Sequence, residues 1–223
     1  REVTRVVTPG TVVEPGLLHD KANNYLAAVV AEASRAGLAY ADITTGEFAC
    51  AQFPSAAGKA PEVVAAADDV WQVLLAELSR LQPAECLVPR GDGRAAVAAT
   101  ARQPTGIGLA ERLNGFHVTP LDDRRFHLEA CREALQEHFG VAALDGFGCA
   151  GLPLAVRAAG ALVQYLRETQ RGALQQLTDL RTYSPGAFMV LEPATRRNLE
   201  LEQATRGGTK GSLLSVLDRT GTP

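Results

Sequence analysis

Asp42 falls at the end of an apolar run, directly before Thr44-Thr45-Gly46. An aspartate on a sheet strand can be one ligand of a two-metal nuclease, a chemistry that also needs several converging carboxylates. Asp68, Asp69, Asp122 and Asp123 are the candidate partners. Asp68 also fits a helix cap and Asp122-Asp123 a helix start, where a short carboxylate accepts unpaired backbone N–H groups. The competing role for Asp42 is to close a turn by accepting backbone N–H bonds. A second set, His127, Cys131 and His138, is spaced i, i+4 and i+11 on one side of a helical pattern, a spacing that could hold zinc. It lacks a fourth ligand and borders Leu128, Leu135 and Phe139, so Cys131 reads as a small buried apolar residue.

Two further segments invite chemistry. Gly207-Gly208-Thr209-Lys210-Gly211-Ser212 offers free backbone amides and a lysine to a phosphate, but the spacing is not that of a phosphate-binding loop and no buried strand leads into it. An exposed loop between helices is the expectation. Arg196-Arg197-Asn198 could pair with a nucleic-acid backbone, or with Glu192, Glu200 or Glu202 inside the fold, and the second role is favoured. No residue is assigned as catalytic, cofactor-binding or metal-ligating.

The elements that must position these residues come from periodicity. Arg1–Gly16 reads as an incoming arm, with a β-type run up to Thr8 and turn punctuation at Pro9-Gly10 and Pro15-Gly16. Asn24–Glu32, Leu38–Thr44 and Glu47–Phe53 read as an antiparallel meander. The spacing predicts a helix over Asp68–Gln82, with Trp71, Leu74, Leu75, Leu78 and Leu81 on one stripe and Pro83 as its stop. Glu85–Pro89 and Gly115–Pro120 read as strands, and Arg94–Arg102 and Arg124–Phe139 as helices, so a mixed sheet covered by helices is expected. Gly140, Gly146, Gly148 and Gly151 then fall within twelve residues and suggest a linker over 140–152. Beyond it the pattern predicts a long helix, Pro153–Arg171, whose Ala155, Ala158 and Ala159 imply close packing on another helix. At ~1.5 Å per residue it would span roughly 28 Å, a stiff lever that the linker could let swing. An extended piece at Phe188–Leu191, a helical turn at Ala194–Glu200 and a short helix at Ser212–Asp218 complete the pattern.

The 223 residues suffice for one large domain or two modest ones. With 46% hydrophobic and 21% charged residues and a mean hydropathy of -0.01, the composition is that of a globular protein. A net charge of -3, with no run of basic residues, gives no global attraction to phosphate. Cys50, Cys86, Cys131 and Cys149 are scattered rather than paired, which fits a reducing compartment. No stretch reads as a membrane span or a signal peptide. The first and last residues read as those of a piece excised from a longer protein.

Six segments in fixed order carry a resemblance. They are Arg1–Thr11 (REVTRVVTPGT), Asn24–Ala28 (NYLAA), Ala41–Phe48 (ADITTGEF), Gly160–Gln170 (GALVQYLRETQ), Ala194–Leu201 (ATRRNLEL) and Ser212–Thr220 (SLLSVLDRT). Together they resemble the MutS family of DNA mismatch-repair proteins, while roughly Pro54–Val118 matches only in its helix and strand alternation. The resemblance implies a ribonuclease-H-like α/β connector domain over 17–139, preceded by an arm (1–16) from the mismatch-reading domain. It implies that 153–223, after the linker, is the start of a mainly helical core, or lever, domain. The parent would be a bacterial, cytoplasmic, homodimeric clamp on mismatched double-stranded DNA, with ATP and Mg²⁺ bound in a domain absent here. The connector would join the mismatch-reading and ATPase domains and offer a surface to a MutL-type partner. The family's Phe-x-Glu wedge, which enters the minor groove, has no counterpart here, and neither does its phosphate-binding loop. The rival expectations are a metal-dependent nuclease using Asp42 and a stand-alone protein-interaction module.

Overall fold

The computed structural model describes residues 8–12, 23–32, 35–53, 67–91, 109–170, 172–184 and 193–218, and within these not the side chains of 67–69, 173 and 193. The expected strand before Thr8, the helix over 94–102, the extended piece over 188–191 and any cap made by Asp68 lie outside what is described.

The expected meander forms. β1 (Leu26–Glu32), β2 (Arg35–Asp42) and β3 (Glu47–Phe53) pair antiparallel, with Leu26 opposite Ala41 and Asp42 opposite Glu47. On the free side of β1, β4 (Glu85–Pro89) and then β5 (Val118–Leu121) add in parallel, and the two-residue β6 (Arg181–Thr182) lies parallel to β3 on the other edge. The order is β5-β4-β1-β2-β3-β6. A three-stranded antiparallel meander extended on β1 by parallel strands is the ribonuclease-H-like arrangement that the resemblance implies.

The strands are apolar on both faces because both are covered. Ala27, Val29, Leu38, Ala51, Phe53, Cys86 and Val88 point to one face, where Val70, Leu74, Leu78 and Leu81 of α1 (Ala67–Leu81) pack on them. Trp71, expected on the helix stripe, is only partly buried, and Arg112 of the short α2 (Leu109–Arg112) stacks over its ring at 4.9 Å. Leu26, Ala28, Val30, Ala39, Ala41, Phe48 and Cys50 point to the other face, which carries α3 (Leu128–Phe139) and α4 (Pro153–Thr169). The expected single helix over 124–139 is two pieces: a 3-10 turn at Asp123–Phe126, capped by the Asp122 carboxylate accepting from Arg124 N, and then α3.

The linker and lever expectations need correction. The sequence reading separates 153 onward from the sheet, yet α4 lies across β1, β2 and β3 with Leu154, Ala155, Ala158, Ala159, Leu162, Val163 and Leu166 buried. A Cβ placed on Gly37 of β2 would stand 2.2 Å from Leu154 O, and one on Gly160 of α4 would stand 2.3 Å from the Cβ of Cys131 in α3. The helix therefore seats directly on backbone at two points. Gly140 is the left-handed cap of α3 at φ 65, and Gly148 caps the 3-10 turn Asp145–Phe147, so these glycines close turns within one packed unit. A helix held this way cannot swing independently of the sheet.

Residues 193–218 hold two short helices, α5 (Pro193–Asn198) and α6 (Leu213–Leu217). The two are tied by backbone bonds from Leu213 N to Glu200 O and Leu214 N to Leu201 O, both 2.9 Å. Ser212 caps α6 by accepting from Ser215 N at 3.2 Å.

Candidate functional site

Among the described residues, one set of buried polar groups lies where residues 8–12 meet the sheet. Pro9–Thr11 form a 3-10 turn that the arm holds by itself: Thr11 N donates to Thr8 O at 2.9 Å and Thr8 N to Thr11 Oγ1 at 2.9 Å. Gly10 and Thr11 are buried against the sheet, and a Cβ on Gly10 would stand 2.8 Å from Leu26 Cδ1 and 2.9 Å from Glu85 Cβ. Glycine is what permits this approach.

Glu85, at the start of β4, is 1% exposed. Its Oε2 accepts from Gly10 N at 3.1 Å, while its Oε1 accepts from Thr119 Oγ1 in β5 at 2.7 Å and from Tyr165 Oη in α4 at 3.0 Å. With no cation beside it among the described residues, a buried carboxylate is tolerable when donors fill its lone pairs in this way. Burial and the neighbouring carboxylate push the Tyr165 phenol up to about 12, so it stays a donor. Two more side chains reach the arm. Asn24 Nδ2 donates to Pro9 O at 3.1 Å and to Val12 O at 3.4 Å, and Gln170 Nε2, just past α4, donates to Thr11 O at 3.1 Å.

Asp42 belongs to the margin of this junction. It is fully buried, with Oδ1 accepting from Thr44 N (2.8 Å) and Thr44 Oγ1 (2.6 Å) and Oδ2 accepting from Asn24 N (3.1 Å). The carboxylate closes the turn into β3 and holds the residue that holds the arm. Gly46, at φ 79, completes that turn under Gln176, whose carbonyl a Cβ would meet at 2.7 Å.

The remaining candidates are spent on packing. Asp122 caps a 3-10 turn and Asp123 Oδ1 accepts from Gly91 N at 2.9 Å. Cys131 is buried, its Sγ 3.0 Å from Arg125 O, and His138 Nε2 lies 2.7 Å from Leu177 O. Desolvation pushes the Cys131 thiol up to about 12. Among the described residues, no group of three or more His, Cys, Asp or Glu is placed to hold a metal ion. Arg196 pairs with Glu202. Gly207, Gly208 and Gly211 have positive φ in an exposed loop between α5 and α6.

Sequence reasoning missed Glu85, Gly10 and Gln170 as a set. One signal was present: Glu85 is the lone charge heading a strand whose next residues, Cys86-Leu87-Val88, read as buried on both faces. A carboxylate in that position needs donors from elsewhere in the fold.

The model of MutS domain II matches residues 24–178, a span that takes in α4 as well as β1 to β5 and ends just before β6. DNA mismatch repair protein MutS of Symbiobacterium thermophilum is 44% identical over 221 residues, covering 99% of this chain and 23% of the relative. Those of Roseiflexus castenholzii and Chloroflexus aurantiacus are 41% and 42% identical, over 100% and 99% of this chain and 22% and 24% of their own lengths. The chain thus spans about a quarter of the curated relatives it matches. The matched domain, the coverage and the ribonuclease-H-like sheet agree, and the chain belongs to the MutS family of DNA mismatch-repair proteins.

Proposed function

We propose that this chain is a non-catalytic link in a mismatch-repair machine, passing position between a mismatch-reading segment ahead of it and an ATPase behind it. It would also offer a docking surface to a MutL-type partner. The observation that carries the reading is the 3.1 Å bond from Gln170 Nε2 to Thr11 O. Through it the incoming arm and the end of α4 meet at one end of a single packed body. Force applied to either is then shared by a sheet with helices on both faces rather than absorbed by a loop. ATP and Mg²⁺ would serve the parent outside this chain, on a homodimer clamped to mismatched double-stranded DNA in the bacterial cytoplasm.

Two measurements test this. In the full-length protein, Gly10→Ala should leave basal ATP hydrolysis near wild type while reducing its response to mismatched DNA, and an unchanged response contradicts the linking role. The immobilised chain should capture the cognate MutL-type protein, with charge reversals on the sheet-covering helices weakening capture. Failure to capture it contradicts the docking role. The nuclease alternative is disfavoured because the Asp42 oxygens already accept three hydrogen bonds from the protein.

A further inference from the structure

The hydrogen bonds around the arm come from groups that are themselves fixed by other contacts. Glu85 is also held by Thr119 and Tyr165, and the Asn24 backbone is held by Asp42. The groups that receive Gly10 and Thr11 thus have contacts of their own within the sheet and α4. The arm brings a turn closed by its own Thr8–Thr11 bonds. Of its described residues, Gly10 and Thr11 are buried, Thr8 and Val12 half-buried and Pro9 exposed. Within residues 8–12 no large apolar side chain is driven into the core, so hydrogen bonds decide whether this turn stays seated.

We propose that Glu85 and Gln170 are positioning residues that seat the turn of residues 8–12 as one unit, a polar strap that can leave the sheet without unfolding it. The proposal rests on the linking role and adds to it where that link is made and released. Glu85 seats the strap from the β4 side through the Gly10 amide, and Gln170 seats it from the α4 side through the Thr11 carbonyl. The two bonds lie on adjacent residues of the same turn and come from different elements. Loss of either loosens the other's partner.

Hydrogen–deuterium exchange of the whole 223-residue chain tests the proposal. Glu85→Gln places an amide where a carboxylate accepted and should speed exchange of the Gly10 and Thr11 amides roughly tenfold or more, the scale of a hydrogen bond to a charged group. Gln170→Ala removes a donor to a carbonyl and takes no partner from any arm amide. Faster exchange at Gly10 in that variant, by roughly fivefold, therefore reports release of the strap rather than loss of a local bond. In both variants the amides of β1 to β3 should stay within twofold of wild type. Unchanged arm exchange in Gln170→Ala overturns the proposal, as does equal acceleration of arm and sheet. Because Gln170 is outside the buried core, that variant stays informative even if Glu85→Gln weakens the fold. A loose strap with normal mismatch response in the full-length protein would instead count against the linking role alone.

Discussion

Gly160 of α4 lies against Cys131 of α3 so closely that an added methyl would stand 2.3 Å from the Cys131 Cβ and 2.6 Å from its carbonyl oxygen. Backbone cannot retreat as a flexible side chain can. Gly160→Ala should destabilise the chain by about 2–3 kcal/mol, within the range for overpacking a dense core. For a chain of this size that is a fall in Tm of roughly 4–12 °C, read by thermal unfolding. A neutral substitution would mean that α4 is not seated on α3 as described.

Asp42 gives a prediction with two readouts. Asp42→Ala strands the Thr44 and Asn24 amides and should cost about 2 kcal/mol in denaturant unfolding. The wild-type chain, incubated with DNA or RNA and Mg²⁺ or Mn²⁺, should leave the nucleic acid intact. Metal-dependent cleavage that vanishes in Asp42→Asn would revive the nuclease reading.

The meander, the first helix and the strand at 85–89 were legible because burial on both faces forces continuous apolar runs such as Leu26–Val30 and Cys86–Val88. Asp42 was legible as a turn residue because Thr44 and Gly46 follow it. The seat of α4 was not legible. Its alanines and Gly160 signal close packing, but a small-residue stripe does not say whether the neighbour is a helix or a sheet, and here it is both. The four glycines of 140–151 read as a linker because composition cannot distinguish a flexible joint from left-handed caps such as Gly140 and Gly148. The Glu85 junction depends on pairs far apart in sequence, Gly10 with Glu85 and Thr11 with Gln170, which no local pattern encodes.

The tyrosines set an alkaline limit. Desolvation and nearby carboxylates raise all four, with Tyr40 and Tyr165 pushed up to about 12. Each phenol ionises near 10.0 in the unfolded chain and higher in the folded one, so between these values the unfolded state holds fewer protons. The stability this gives is fully present below pH 10 and falls as pH rises toward 12. Unfolding free energy measured by denaturant titration from pH 8 to 11.5 should decline above about 10, with tyrosinate absorbance appearing in step with unfolding. Early tyrosinate absorbance in a folded chain would contradict the burial.

The thiols should be slow to react. Desolvation pushes Cys86 and Cys131 up to about 12, so at pH 8 only about one in 10⁴ is thiolate. Cys149, whose thiolate gains a hydrogen bond from Cys50, should be alkylated first. Mass spectrometry after timed iodoacetamide exposure reads the order, and Cys86 or Cys131 reacting ahead of Cys149 would contradict it.

The account depends most on α4 and the sheet forming one body. Native-state hydrogen exchange in increasing sub-denaturing urea measures this directly, by comparing amides of Ala158–Val163 in α4 with those of Val29 in β1 and Leu38 in β2. The predicted result is that all of them open in one event, converging on a common free energy and denaturant dependence. An α4 that opens at clearly lower free energy, while β1 and β2 keep their protection, would restore the separate lever and contradict the single linking body.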